Sequence, residues 1–111
     1  MPPTDDSPEV PEGAAVFPLI PPELGVHPLL LTVLQAVVFL QGSEADIVNP
    51  DAAEEQLEYI AGNLQRLSGA ELQRVREDLE TLAGFAKEEG WEGDSIQFLK
   101  TFLTEFGIGA N

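Results

Sequence analysis

The chain has 111 residues, 43% of them apolar, which suffices for one hydrophobic core and one domain. Five Lys and Arg stand against twenty Asp and Glu, a formal net charge of −15, which repels nucleic-acid phosphates and anionic lipid and favours a basic protein partner. The absence of cysteine removes disulfides, thiolate catalysis and cysteine-built zinc sites.

Acidity has two plainer explanations, solubility and adaptation to a salty cytoplasm. The N-terminus lacks the basic start and apolar stretch of a signal peptide. The most apolar run, Leu29 to Leu40, is shorter than the roughly 20 residues a membrane span needs. The expectation is a cytoplasmic protein without a membrane segment.

Residues 1–22 hold seven of the nine prolines, at 2, 3, 8, 11, 18, 21 and 22. Proline removes a backbone donor and blocks helix, so this arm is expected to be extended or polyproline-like. Its polar, acidic first half (1–13) is expected to be mobile, leaving the arm partly disordered. Its second half carries Phe17, Leu19 and Ile20, which dock either on the helical domain or on a partner. Pro18 and Pro21 have PxxP spacing, but no Arg or Lys flanks them to orient an SH3-type contact.

Residues 23–111 read as a small all-α, four-helix bundle-like domain. The first helix is predicted over 28–41, with His27 ahead of Pro28 and Gly42 as its stop. It is apolar nearly all round, which marks it as the central helix; any surface the fold leaves uncovered becomes an oligomer or partner surface.

The second helix is predicted over 50–67, capped by Asn49 and opened by Pro50. Ala53, Leu57, Ile60, Leu64 and Leu67 form one core-facing stripe. The third is predicted over 70–89, with Ser68 and Glu71 as a capping box, Gly90 as its stop and Leu72, Val75, Leu79, Leu82 and Ala86 as its stripe. The short link Ser68-Gly69 predicts that helices two and three are neighbours in an αα-hairpin. The fourth is predicted over 95–106, with Asp94 and Gln97 as a second capping box and Gly107 as its stop. Trp91 is expected to seal the corner between helices three and four.

The sharpest chemical feature is acidic. Glu44, Asp46, Asp51, Glu54, Glu55 and Glu58 follow one another without an intervening base. Positions 51, 54, 55 and 58 have i, i+3, i+4, i+7 spacing and so share one helix face, opposite the Leu57, Ile60, Leu64 stripe. Like charges so placed cost a helix roughly 0.2–0.5 kcal/mol per pair, partly offset by the dipole at the helix start. Burial against Lys and Arg of a partner would convert that repulsion into charge-assisted hydrogen bonds. Tyr59 and Phe98 fall off the main stripes and are the candidate aromatic anchors.

Catalytic and metal readings are weaker. The loop 43–51 has oxygen ligands at irregular intervals, but it lacks the central glycine of an EF-hand, and Pro50 stiffens it. His27 is the lone histidine, and neither a phosphate-binding glycine loop nor a nucleophile elbow occurs. In general build the chain resembles small bacterial helical proteins, with no motif specific enough to carry a function across. The reading is therefore a non-catalytic module without metal or cofactor. It acts as an inhibitor- or immunity-type protein that neutralises or chaperones a basic protein partner, binding through the six carboxylates and Tyr59. The alternative is an assembly subunit that self-associates through the apolar surface of the first helix. Concentration-dependent mass in solution separates the two.

Overall fold

The computed structural model describes residues 13–109. The expected mobility of the first half of the arm falls almost entirely outside that range. Among the described residues the chain forms four α-helices and no strand: α1 Pro28–Gly42, α2 Pro50–Leu64, α3 Gly69–Glu88 and α4 Gly93–Glu105. A single 3-10 turn, Pro22–Leu24, precedes them.

Two helix starts follow the sequence rules. His27 is the N-cap of α1: its Nδ1 accepts from the Leu29 N–H at 3.1 Å, and Pro28 occupies the first helical position. Asn49 caps α2, its Oδ1 accepting from the Ala52 N–H at 3.0 Å. The two predicted capping boxes do not form. Gly69 enters α3 with a left-handed backbone (φ +57°), and Ser68 before it is extended and makes no side-chain cap bond. α4 begins earlier than expected, at Gly93 with Glu92 as N-cap. Asp94 thus lies inside the first turn, where its charge complements the helix dipole.

Two helix ends are closed by glycine. At Gly90 (φ +75°) the Gly90 N–H donates to Lys87 O and the Trp91 N–H to Ala86 O. At Gly107 (φ +66°) the Gly107 N–H donates to Thr104 O and the Ile108 N–H to Leu103 O. Both are Schellman motifs, which reverse the chain and fold the next residue back over the last turn. In each case that residue is apolar, and Ile108 is buried as a result.

Gly42, expected as the stop of α1, is instead its last helical residue, with Ser43 as the C-cap, and it is glycine for another reason. Its backbone is not left-handed; a Cβ there would lie 2.8 Å from the Ala15 Cβ. The glycine is a slot through which the arm passes over the end of α1, and the Ala15 N–H donates to Ser43 Oγ at 2.9 Å beside it.

The core joins Leu30, Leu34 and Val37 of α1, Leu72, Leu79, Leu82 and Ala86 of α3, Leu99 and Phe102 of α4, Ile108 and, from the arm, Phe17. Each of these side chains other than Ala86 contributes roughly 1.5–3 kcal/mol relative to exposure. α1 supplies Leu34 and Val37, both fully buried, yet its opposite side stays open: Leu29 is 70% exposed and Phe39 is exposed too. α2 contributes least, with Ala53 alone fully buried and Leu57, Ile60 and Leu64 half-buried.

The closest helix pairs are α1 with α2 and α3 with α4, rather than α2 with α3. The short link does not decide the pairing because α3 spends its apolar stripe on α4 and α1. Gln65 then ties the two hairpins together, donating from Nε2 to Phe106 O at 2.8 Å.

Candidate functional site

The α1–α2 connection and α2 itself carry the predicted acids. Asn49 and Pro50 fix where α2 begins and thereby which way its faces point. Ala53 is turned into the core, so Asp51, Glu54, Glu55 and Glu58 emerge on the far side, and all four are exposed. The structure brings them together as one stripe, and none has a cation within 4.0 Å among the described residues. Asp51 sits in the first turn, where the exposed N–H groups of α2 attenuate its repulsion from the others.

Glu44 and Asp46 lie in the turn before α2 and are exposed. Glu44 also has a structural task. Its N–H donates to Gly13 O at 2.8 Å, its own carbonyl accepts from Ile47 and Val48, and its carboxylate arm lies over Gly13. Tyr59 is 64% exposed and flanks the acidic stripe, one turn beyond Glu55. A large, rigid, amphipathic ring beside a charged stripe is the usual composition of an interface anchor. Phe98, the other aromatic outside the main stripes, is half-buried and stacks edge-on against Phe102, with ring centroids 5.6 Å apart.

The arm residues separate. Phe17 is 5% exposed and fills the core beside Trp91; Ile20 is half-buried against the same core; Leu19 is 89% exposed. Leu19 therefore does not take part in docking the arm on this domain. The reason is periodicity: a polyproline backbone, such as Pro21 shows at φ −62° and ψ 135°, repeats every three residues and puts 17 and 20 on one side. Trp91 seals more than the expected corner, since it meets Phe85 of α3 and Phe17 of the arm, both edge-on.

Asp78, which the sequence reading passed over, is the one buried charge among the described residues, at 6% exposure. Its Oδ2 accepts from the His27 N–H at 3.0 Å, and both its oxygens accept from Arg74 Nε, at 3.0 and 3.1 Å. Arg74 Nη2 continues to Gly25 O at 2.8 Å. The pair is a clamp that holds the segment 25–27 on α3 and fixes where α1 starts. Among the described residues no buried side-chain nitrogen or oxygen lacks a hydrogen-bond partner, and the Asp78 carboxylate is fully engaged in this clamp, which makes it a structural device. The signal was present in the sequence: an acid three residues after Val75, on the buried side of α3, with Arg one turn earlier.

Below this clamp an apolar groove of about 420 Å³ opens between the start of α1, the end of α2, α3 and α4; Leu29, Val33, Leu64 and Leu67 line it. No cluster of three or more His, Asp and Glu side chains arranged to hold a metal ion occurs among the described residues. None of the described helices is long and apolar enough to cross a membrane. The chain matches no family model, and no curated protein or solved structure matches it closely enough to lend it a family, an activity or a partner.

Proposed function

We propose that this chain is a non-catalytic, acidic protein-binding module of the cytoplasm, of inhibitor or immunity type, that neutralises or chaperones a basic protein partner. The observation that supports this reading best is the α2 face, where Asp51, Glu54, Glu55 and Glu58 stand exposed and without a cation within 4.0 Å among the described residues. Such a stripe raises the encounter rate with a cationic surface and gives it an orientation. Once desolvated against Lys or Arg, each carboxylate exchanges repulsion within the helix for charge-assisted hydrogen bonds. Tyr59 supplies the apolar contact beside the stripe.

The test is a capture experiment with the purified chain as bait, loaded at low salt and eluted along a salt gradient, with mass spectrometry of each fraction. The expected result is one basic protein released at a defined salt step and no longer retained by the E54K/E55K/E58K variant. Equal retention by that variant sinks the proposal.

One observation favours a second reading, self-association. α1 carries no charged residue over its whole length and leaves Leu29 and Phe39 exposed. On a chain of net charge −15 this is a face where two copies could meet without opposing carboxylates. Sedimentation across a concentration series decides it: a mass that stays monomeric at all concentrations removes the assembly reading.

A further inference from the structure

The five cations of this chain are Arg66, Arg74, Arg76, Lys87 and Lys100. Arg74 is committed to Asp78. Of the four that remain, three line a single groove of about 710 Å³ between α3 and α4: Arg76, Lys87 and Lys100. All three are exposed, and none has a carboxylate within 4.0 Å among the described residues. Glu80 is the one acid on the groove, although acids outnumber cations fourfold in the chain as a whole, twenty to five. The floor is apolar, formed by Leu79, Leu103 and their neighbours.

α3 places Arg76, Glu80 and Lys87 along one rim at helical spacing, and Lys100 of α4 stands on the other. The guanidinium of Arg76 lies over Gly109: a Cβ at that glycine would fall 2.7 Å from Arg76 Nη2. The turn after α4 thus holds Arg76 at one end of the groove. α2 carries acids alone, whereas α3 and α4 carry four of the five cations among seven acids, and it is the groove between them that gathers three cations against one acid. An apolar floor between cationic rims matches a segment that carries apolar side chains on one face and carboxylates at its edges.

We infer that the α3–α4 groove is a docking site for an acidic amphipathic polypeptide segment, its apolar side chains on the half-buried Ala83 and Leu103 and its carboxylates on Arg76, Lys87 and Lys100. This surface is distinct from the α2 stripe and opposite to it in charge. Given the role proposed for the α2 stripe, on which this also rests, the chain then has two docking faces of opposite sign and links a basic partner to an acidic one.

Fluorescence anisotropy with the full chain tests the site. The probe is a labelled synthetic helix with Glu along one face and Leu along the other. The expected result is saturable binding that weakens with salt and falls roughly tenfold or more in R76E/K87E/K100E. The K87E/K100E variant leaves the Arg76–Gly109 contact intact and is expected to fall in the same direction, with an unchanged helical circular-dichroism spectrum. E54Q/E55Q/E58Q is expected to bind the probe like the parent chain. Absence of saturable binding, or binding indifferent to the reversals, overturns the inference. Displacement of the probe by inorganic phosphate alone overturns it too, by making the groove a small-anion site. Self-association of the chain that the same reversals abolish overturns it in favour of a second copy as occupant.

Discussion

The ring of Phe17 meets the indole of Trp91 edge-on, with centroids 5.7 Å apart and planes at 84°. Phe17 comes from the proline-rich arm and Trp91 from the turn between α3 and α4, so this one contact fastens the start of the described chain to its second hairpin. Edge-to-face pairs contribute roughly 0.5–1.5 kcal/mol beyond the area they bury.

Phe17→Ala is expected to destabilise the fold by about 3–5 kcal/mol, the range for truncating a buried aromatic. Urea unfolding monitored by Trp91 fluorescence measures it, and the folded-state emission should shift to the red as Trp91 loses its cover. Leu19→Ala serves as the comparison and should leave the midpoint where it is, because Leu19 is nearly fully exposed. Equal effects of the two substitutions contradict the seating of the arm.

Gly42→Ala is expected to cost about 1–3 kcal/mol through overpacking against the Ala15 Cβ. The diagnostic is rescue. Ala15→Gly added to Gly42→Ala should recover most of the loss, and the coupling from the double-mutant cycle should be of the same size as the penalty. Additive effects would show that the slot does not set the path of the arm.

Asp78→Ala removes the acceptor of the His27 N–H and both carboxylate acceptors of Arg74 Nε, leaving Arg74 only Gly25 O, with an expected loss of about 1–3 kcal/mol. Arg74→Ala should cost less, because Arg74 is half-exposed and its absence leaves Asp78 still bonded to His27. A calorimetric comparison orders the two, and a larger effect at Arg74 contradicts the clamp described here.

Neutralising the α2 stripe, E54Q/E58Q, should raise the melting temperature of the isolated chain, since it relieves like charges one turn apart. The gain should shrink as salt is added. The same variant should bind a basic partner more weakly. A fall in melting temperature at low salt would mean that the carboxylates are already paired within the chain.

Much of this architecture is local and therefore legible in the sequence. His27-Pro28 and Asn49-Pro50 announce their helices through a side-chain acceptor and a missing N–H, and Gly90 and Gly107 announce two ends through a backbone that tolerates the left-handed region. Where local devices compete, the sequence is less decisive. Ser68 has the residues of a capping box, but Gly69 sets another entry into α3; Asp94 and Gln97 have the spacing of a second box, but Glu92 takes the cap position.

Other features are non-local. That Gly42 makes room for Ala15, twenty-seven positions earlier, depends on where the arm runs, and helix pairing depends on which stripes find each other. The α2 carboxylates were legible as one face because a single helix carries them. The grouping of Arg76, Lys87 and Lys100 was not, because it exists only once α3 and α4 lie side by side.

Ile108 carries a consequence of its own. It is 3% exposed and lines both the groove under His27 and the cationic groove between α3 and α4. It is thus a party wall between two chambers, built by a turn rather than by a helix. Trimming it to alanine would enlarge both spaces at once, and any occupant that pushed the wall from one side would change the room available on the other.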